Sequence, residues 1–149
     1  MLKLSKLTDY ATVVLSYMAK DVSRVHGAVE IAEVTGIALP TVSKILKILL
    51  KAGVLSSQRG AKGGYNLSRA PEKITVAAVI SALEGPIALT ECTASHKSCE
   101  QAAGCRIQGN WHLLNQRIAF ALESVTLADM IMPCPPPQEV LIPLSRLFR

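Results

Sequence analysis

The sequence predicts a mainly α-helical protein with a small β-wing: a winged helix-turn-helix domain followed by a long C-terminal dimerisation helix. Three observations predict it. First, Val42, Ile45, Leu46, Leu49 and Leu50 recur at the spacing that builds one buried face of a helix. Second, two short β-prone runs, 54–58 and 65–67, flank the basic, glycine-rich stretch Arg59-Gly60-Ala61-Lys62-Gly63-Gly64, the pattern of a hairpin with a basic tip. Third, Trp111, Leu114, Ile118, Ala121 and Val125 alternate steps of three and four, the seam of a coiled coil.

Taken in order, the first helix runs from about Leu7 to Lys20, with Leu7, Tyr10, Ala11, Val14, Leu15 and Met18 on one face. Asp9 falls in its first turn, where the helix dipole favours a carboxylate. Asp21 to Gly27 is a polar connection, and His26 reads as a surface turn residue. The second helix covers Val29 to Thr35 and stops at Gly36. The third begins near Pro40, whose missing N–H costs little there, and closes at Gly53. Helices two and three, with Gly36-Ile37-Ala38 between them, make the helix-turn-helix. Thr41, Ser43, Lys44, Lys47 and Lys51 lie off the buried face of helix three. A polar-faced helix fits the major groove, and a basic hairpin reaches phosphates or the minor groove.

After the wing, 68–71 is a turn and Val76 to Leu83 a short helix. Gly85 to Gly109 has no sustained period, and a loop of that length needs something to tie it down. Trp111 to Ile131 is the longest helical pattern, with Leu113, Phe120 and Leu127 as a second apolar stripe beside the seam. A helix apolar on more than one side must be covered on more than one side, which predicts a homodimer. The prolines from Pro133 onward exclude regular helix from the tail. The chain thus divides into a DNA-binding domain (1–84), a cysteine loop (85–109), a dimerisation helix (110–131) and a proline-rich tail (132–149).

Charge is unevenly spread. Residues 1–73 hold 11 Lys/Arg against 5 Asp/Glu, and residues 74–149 hold 5 against 6. The positive charge therefore sits with the helix and wing, as phosphate binding requires. No apolar run approaches a membrane-spanning length. Ala11 to Ala19 faintly imitates a signal peptide, but Asp9, Thr12, Ser16 and the clean helical spacing argue for a cytoplasmic protein. No nucleophile–base pairing stands out, and Gly60, Gly63 and Gly64 do not lie between a strand and a helix, so nothing supports an enzyme.

The long loop carries Cys92, Cys99 and Cys105, spaced Cys-x6-Cys-x5-Cys, together with His96. That is wider than a zinc-finger pair. Three thiolates on a flexible loop suit a soft-metal centre such as an iron–sulfur cluster, a disulfide switch, or free thiols. Cys134, fenced by prolines, is set apart from the other three.

The combination resembles the Rrf-two-type family of winged-helix regulators, which includes IscR-like and NsrR-like members and regulators of SUF assembly operons. The resemblance rests on Leu-Ser-Lys-Leu-Thr-Asp-Tyr-Ala (4–11), Arg-Gly-Ala-Lys-Gly-Gly-Tyr (59–65), Val-Ile-Ser-Ala-Leu-Glu-Gly (79–85), the three-cysteine loop and the helix after it. Cys-Arg-Ile-Gln-Gly-Asn-Trp (105–111) and Val-Thr-Leu-Ala-Asp-Met (125–130) are most similar to the SUF-operon subgroup. The resemblance implies a cluster, 2Fe-2S or 4Fe-4S, held by Cys92, Cys99 and Cys105. IscR-like members add a histidine three residues after the last cysteine, where this chain has Gln108. NsrR-like members use an aspartate from the partner subunit, which maps to Asp9; His96 and His112 are competing fourth ligands. The first cysteine spacing is one residue longer than is usual in the family.

The expected function is a regulator, a repressor in the first instance, that binds double-stranded DNA as a homodimer on a near-palindromic operator. It would report iron–sulfur supply or oxidative and nitric-oxide stress and control a SUF-type operon. Thr41, Ser43 and Lys44 would read bases, Lys47 and Lys62 would contact phosphates, and Arg59 would enter the minor groove. Two other readings stand beside it: a thiol-redox DNA regulator without a cluster, and an iron–sulfur scaffold or carrier that does not act on DNA.

Overall fold

A computed structural model describes residues 3–60, 63–95, 99–100 and 104–133. Helix α1 (Lys6–Met18) starts where Ser5 caps it, its hydroxyl accepting from the Thr8 N–H. Its periodic face does what the spacing demands: Ala11, Val14, Leu15 and Met18 are fully buried. Helix α2 (Ala28–Thr35) ends at Gly36, whose φ of 70° is the left-handed cap that glycine adopts without steric cost. Helix α3 (Leu39–Lys51) carries Pro40 in its first turn and is followed by Gly53 at φ 73°. Val42, Ile45, Leu46 and Leu49 are fully buried, and Leu50 only half so. These faces meet in one cluster that also takes Ile31, Val54, Leu55, Ile74 and Val79.

Strands β1 (Leu55–Gln58) and β2 (Gly64–Leu67) pair antiparallel in the register Leu55–Leu67 to Gln58–Gly64. Leu55 and Leu67 dip into the core and anchor the wing at its base. Gly63 N–H bonds to Gly60 O at 2.9 Å and closes the tip.

His26 is not a surface residue. It is 2% exposed, and its backbone exchanges two 2.9 Å hydrogen bonds with Tyr65, adding a one-residue third strand to the wing. Its Nε2 lies 3.1 Å from Asp21 O and its ring stands edge-on to Tyr17. The position looks like a turn because it lies in the polar connection Asp21 to Gly27; what fixes it is pairing with a residue far along the chain, which no local pattern reveals. This pairing also explains Gly64, where an added Cβ would lie 2.5 Å from the His26 carbonyl oxygen.

Helix α4 (Val76–Glu84) is capped by Thr75 and ends at Gly85, with φ 89° and ψ −171°. The cysteine loop contains a short helix, α5 (Glu91–Ala94), and α6 (Gln108–Glu123) follows it. The expected continuous helix to Ile131 is interrupted: α6 stops at Glu123 and a separate α7 spans Leu127–Ile131. The break has a local cause. Ser124 turns its hydroxyl onto Ala121 O, and Thr126 starts a new helix with a capping box, Asp129 Oδ2 accepting from both Thr126 N–H (2.8 Å) and Oγ1 (2.6 Å). It also has a tertiary cause. Val76 N–H bonds Val125 O at 2.8 Å, Leu127 N–H bonds Ile74 O at 2.7 Å, and Leu127 is 3% exposed within the core shared by α1 to α4. Leu127 therefore belongs to the domain and not to the second stripe of α6.

Among the described residues, no helix is long and apolar enough to cross a membrane.

Candidate nucleic-acid interface and cysteine loop

On α3, Lys44 and Lys47 are exposed, while Thr41 and Ser43 are half-buried along the shoulder of the helix. Because the opposite face is locked in a close-packed core, these side chains are presented by a rigid element. At the helix tip Leu39 is 41% exposed and Pro40 and Ala38 are also open to solvent, an apolar prow that the sequence reading did not single out. Arg59 is exposed where β1 gives way to the tip. Lys62 lies outside the described residues.

The surface is uniform in sign for a reason visible in sequence. No Asp or Glu occurs between Glu33 and Glu72, whereas Lys44, Lys47, Lys51, Arg59, Lys62 and Arg69 do. The carboxylate of Glu30, on α2, is already engaged. Glu30 Oε1 accepts from Tyr17 Oη at 2.6 Å and pairs with Arg24 at 3.1 Å. The tyrosine hydrogen bond, then the arginine charge, hold that carboxyl below its usual range.

The second site is the cysteine loop. Cys92 is buried in α5, its Sγ 3.1 Å from Thr90 Oγ1; Cys99 and Cys105 are half-buried; all three are free thiols. Thr90 N–H bonds Thr93 Oγ1 at 3.0 Å and fixes the start of α5. Among the described residues no three His, Cys, Asp or Glu side chains are gathered for a metal. Asp9 is exposed on α1, and His112 is half-buried on α6. His96 and Cys134 lie outside the described residues.

Two residues that the sequence reading passed over join this loop to the rest. Asn115, on α6, accepts from Leu89 N–H and donates to Ile87 O, both at 3.0 Å. Glu84 Oε1, at the end of α4, accepts from Ser5 N–H at 2.8 Å and from Thr8 Oγ1 at 2.5 Å, tying the start of α1 to the start of the loop. Those bonds hold the Glu84 carboxyl below its usual range. Glu84 is adjacent to the conspicuous glycine; Asn115 follows Leu114 of the seam without being a seam position, so the apolar period carries no signal for it.

Helix α6 buries no residue fully. Phe120 is 72% exposed, Leu113 52% and Leu114 44%. It touches α4 and α5 on one side and leaves the rest of its apolar surface open.

A helix-turn-helix with a basic wing, joined to a thiol-bearing loop and an apolar arm, defines a winged-helix transcriptional regulator. The model of the Rrf2 family, iron-dependent transcriptional regulators, matches residues 4–133, and the chain belongs to that family. It is 31% identical over 132 residues to the HTH-type transcriptional regulator NsrR of Geobacillus kaustophilus, covering 87% of this chain and 90% of that one. Its fold is similar to that of CymR, the global cysteine regulator of B. subtilis, with TM-score 0.68 and 29% identity over 88% of this chain and 97% of that one. It is similar as well to T. potens IscR, with TM-score 0.64 and 29% identity over 87% and 86% of the two chains. Like these relatives, the chain is a transcriptional regulator and not an enzyme, and regulators of this family bind DNA.

Proposed function

We propose that this protein is a cytoplasmic, homodimeric DNA-binding repressor whose cysteine loop senses iron–sulfur cluster status or oxidative and nitric-oxide stress, and that it controls an iron–sulfur assembly operon of SUF type. One observation carries the reading: an acid-free, lysine-bearing α3 and wing share a small protein with three free thiols on the loop packed against an uncovered apolar helix.

The donor chemistry fits the implied cofactor, because three thiolates suit an iron–sulfur centre. Cys92, Cys99 and Cys105 would hold it, with the partner subunit's Asp9 as fourth ligand. When bound, such a cluster supplies a redox-active, oxidant-sensitive centre. The chain's own residues do the rest. Thr90 orients the Cys92 thiol, and Asn115 ties the segment before it to α6. The open faces of α6, Phe120 and Leu113 above all, are covered by a second copy. Two-fold symmetry then sets two reading heads about one DNA turn, ~34 Å, apart on a near-palindromic site. Thr41, Ser43 and Lys44 read base edges, Lys47 and Lys62 neutralise phosphates, and Arg59 enters the minor groove.

A second reading, a thiol-redox regulator without a cluster, is favoured by the half-buried, unpaired state of Cys99 and Cys105, which leaves both reachable by oxidant. Iron and acid-labile sulfide per chain on anaerobically purified protein separate the two. Stoichiometric iron and sulfide support the cluster, and their absence after anaerobic reconstitution refutes it. Protection of the protein's own upstream region and of a SUF-type promoter in footprinting supports the operon; no protected site would revive the scaffold reading.

A further inference from the structure

The loop that carries the thiols must move something if it is to signal, and two ties to α6 are visible, the packing of α5 and the amide of Asn115. Gly85 leaves α4 in a backbone conformation open essentially to glycine alone, so the loop begins at a hinge point. From there, Pro86 to Leu89 run beside α6, with Ile87 and Leu89 half-buried. A cleft of about 460 Å³ opens beside this strip, lined by it together with Leu4, Ile80, Ile118 and Leu122. What bridges the strip and α6 is the Asn115 amide, gripping Ile87 O and Leu89 N–H together at 3.0 Å each. Both are main-chain groups of an irregular segment, and one planar amide satisfies them only in one relative placement of loop and helix. Leu89 is followed by Thr90, which contacts the Cys92 sulfur. A path of covalent and hydrogen bonds therefore runs from the buried thiol to the middle of α6, beside a cleft that leaves room for displacement.

We propose that Asn115 is a positioning residue that couples the state of the cysteine loop to α6, and hence to the spacing of the two reading heads. The proposal rests on the regulator reading above. Asn115 touches neither thiol nor DNA; it acts through Ile87 and Leu89. When ligation or oxidation pulls on Cys92, the doubly held amide carries α6 along. Without it, the loop moves alone.

The test uses the full-length protein with Asn115→Leu, which keeps the side chain's bulk and removes both hydrogen bonds, and Asn115→Asp, which keeps the acceptor for Leu89 N–H and loses the donor to Ile87 O. Two quantities are read. The first is the rate at which metal-free protein is alkylated at Cys92 by iodoacetamide, followed by mass spectrometry. The second is the ratio of affinities of iron–sulfide-loaded and metal-free protein for the footprinted DNA. Asn115→Leu is expected to raise the Cys92 alkylation rate about tenfold and to bring the affinity ratio close to one, with one form still binding DNA. Asn115→Asp should fall between it and wild type. An unchanged alkylation rate in Asn115→Leu overturns the clamp. A faster rate with an unchanged affinity ratio overturns the coupling, leaving Asn115 as a loop anchor. A wild-type ratio of one overturns the sensor reading itself, and a wild-type ratio far from one in either direction that Asn115→Leu leaves intact overturns only this proposal. Melting curves on both variants exclude loss of fold as the cause.

Discussion

The reading head and the α5–α6 arm are built on opposite principles. In the head, Val14, Leu15, Ile31, Val42, Ile45, Leu46 and Leu49 are fully buried, and even the wing is anchored at its base by Leu55 and Leu67. In the arm, no residue of α6 is fully buried, a cleft opens beside it and the strip before Cys92, and polar ties at Asn115 do part of the holding. A rigid core presents side chains at fixed spacing; a loosely packed arm can shift and still remain folded. A regulator needs both properties, one to read a sequence and one to respond.

The same kind of truncation should therefore act differently in the two regions. Leu46→Ala should cost the head about 2–5 kcal/mol, read from urea unfolding of the isolated chain at low concentration. Phe120→Ala on α6, 72% exposed, should change the stability of that dilute chain by no more than about 0.5 kcal/mol and weaken dimerisation instead, read by sedimentation. A large loss of chain stability from Phe120→Ala would erase the contrast.

Gly64→Ala sharpens the picture of the head. An added methyl would press on the His26 carbonyl, so this change should cost about 1–3 kcal/mol and loosen the wing, seen as faster amide exchange at Tyr65.

Within the reading surface, Lys44→Ala should cost about 1–3 kcal/mol and relax base preference, whereas Lys47→Ala should weaken binding to all sequences and lower the salt slope by about one. Both follow from binding isotherms at several salt concentrations.

The smallest effect is expected at the seam between the regions. Hydrogen bonds from Thr8 and Ser5 lower the Glu84 pKa from its ordinary 4.5. A depressed carboxylate contributes stability above its unfolded pKa and loses it as pH falls through the folded value. The tie between α1 and α4 should therefore weaken below about pH 4.5, and Glu84→Gln should flatten that acid limb while leaving neutral stability little changed. An acid limb identical in wild type and Glu84→Gln would assign it elsewhere.

The same contrast governs what the sequence disclosed. Helices α1 and α3 were legible because each buries a face with a clean 3.6 period, and the ends of α2, α3 and α4 because a glycine stands at or just past each, Gly36, Gly53 and Gly85. The wing was legible from its basic, glycine-rich tip. Three things were not. The pairing of His26 with Tyr65 joins residues 39 apart, and nothing local announces it. The break at Ser124 to Thr126 was masked because Val125 and Leu127 continue an apolar rhythm, although Thr126 and Asp129 formed a capping box in plain view. Asn115 was hidden because a helical period describes apolar positions and says nothing of which main-chain groups a polar one will find. The cysteines were legible as a constellation. Their placement in space was not, since it depends on the path of a loop without periodicity, and among the described residues no three such side chains are gathered.

The most direct test of the account is the affinity of the loaded and the metal-free protein for one footprinted DNA fragment, at one salt concentration and under anaerobic conditions. The account predicts a difference of more than about tenfold, some 1.4 kcal/mol of coupling between the cysteine loop and the reading heads. Equal affinities would contradict it, leaving a winged-helix dimer whose thiols serve some end other than control of DNA binding.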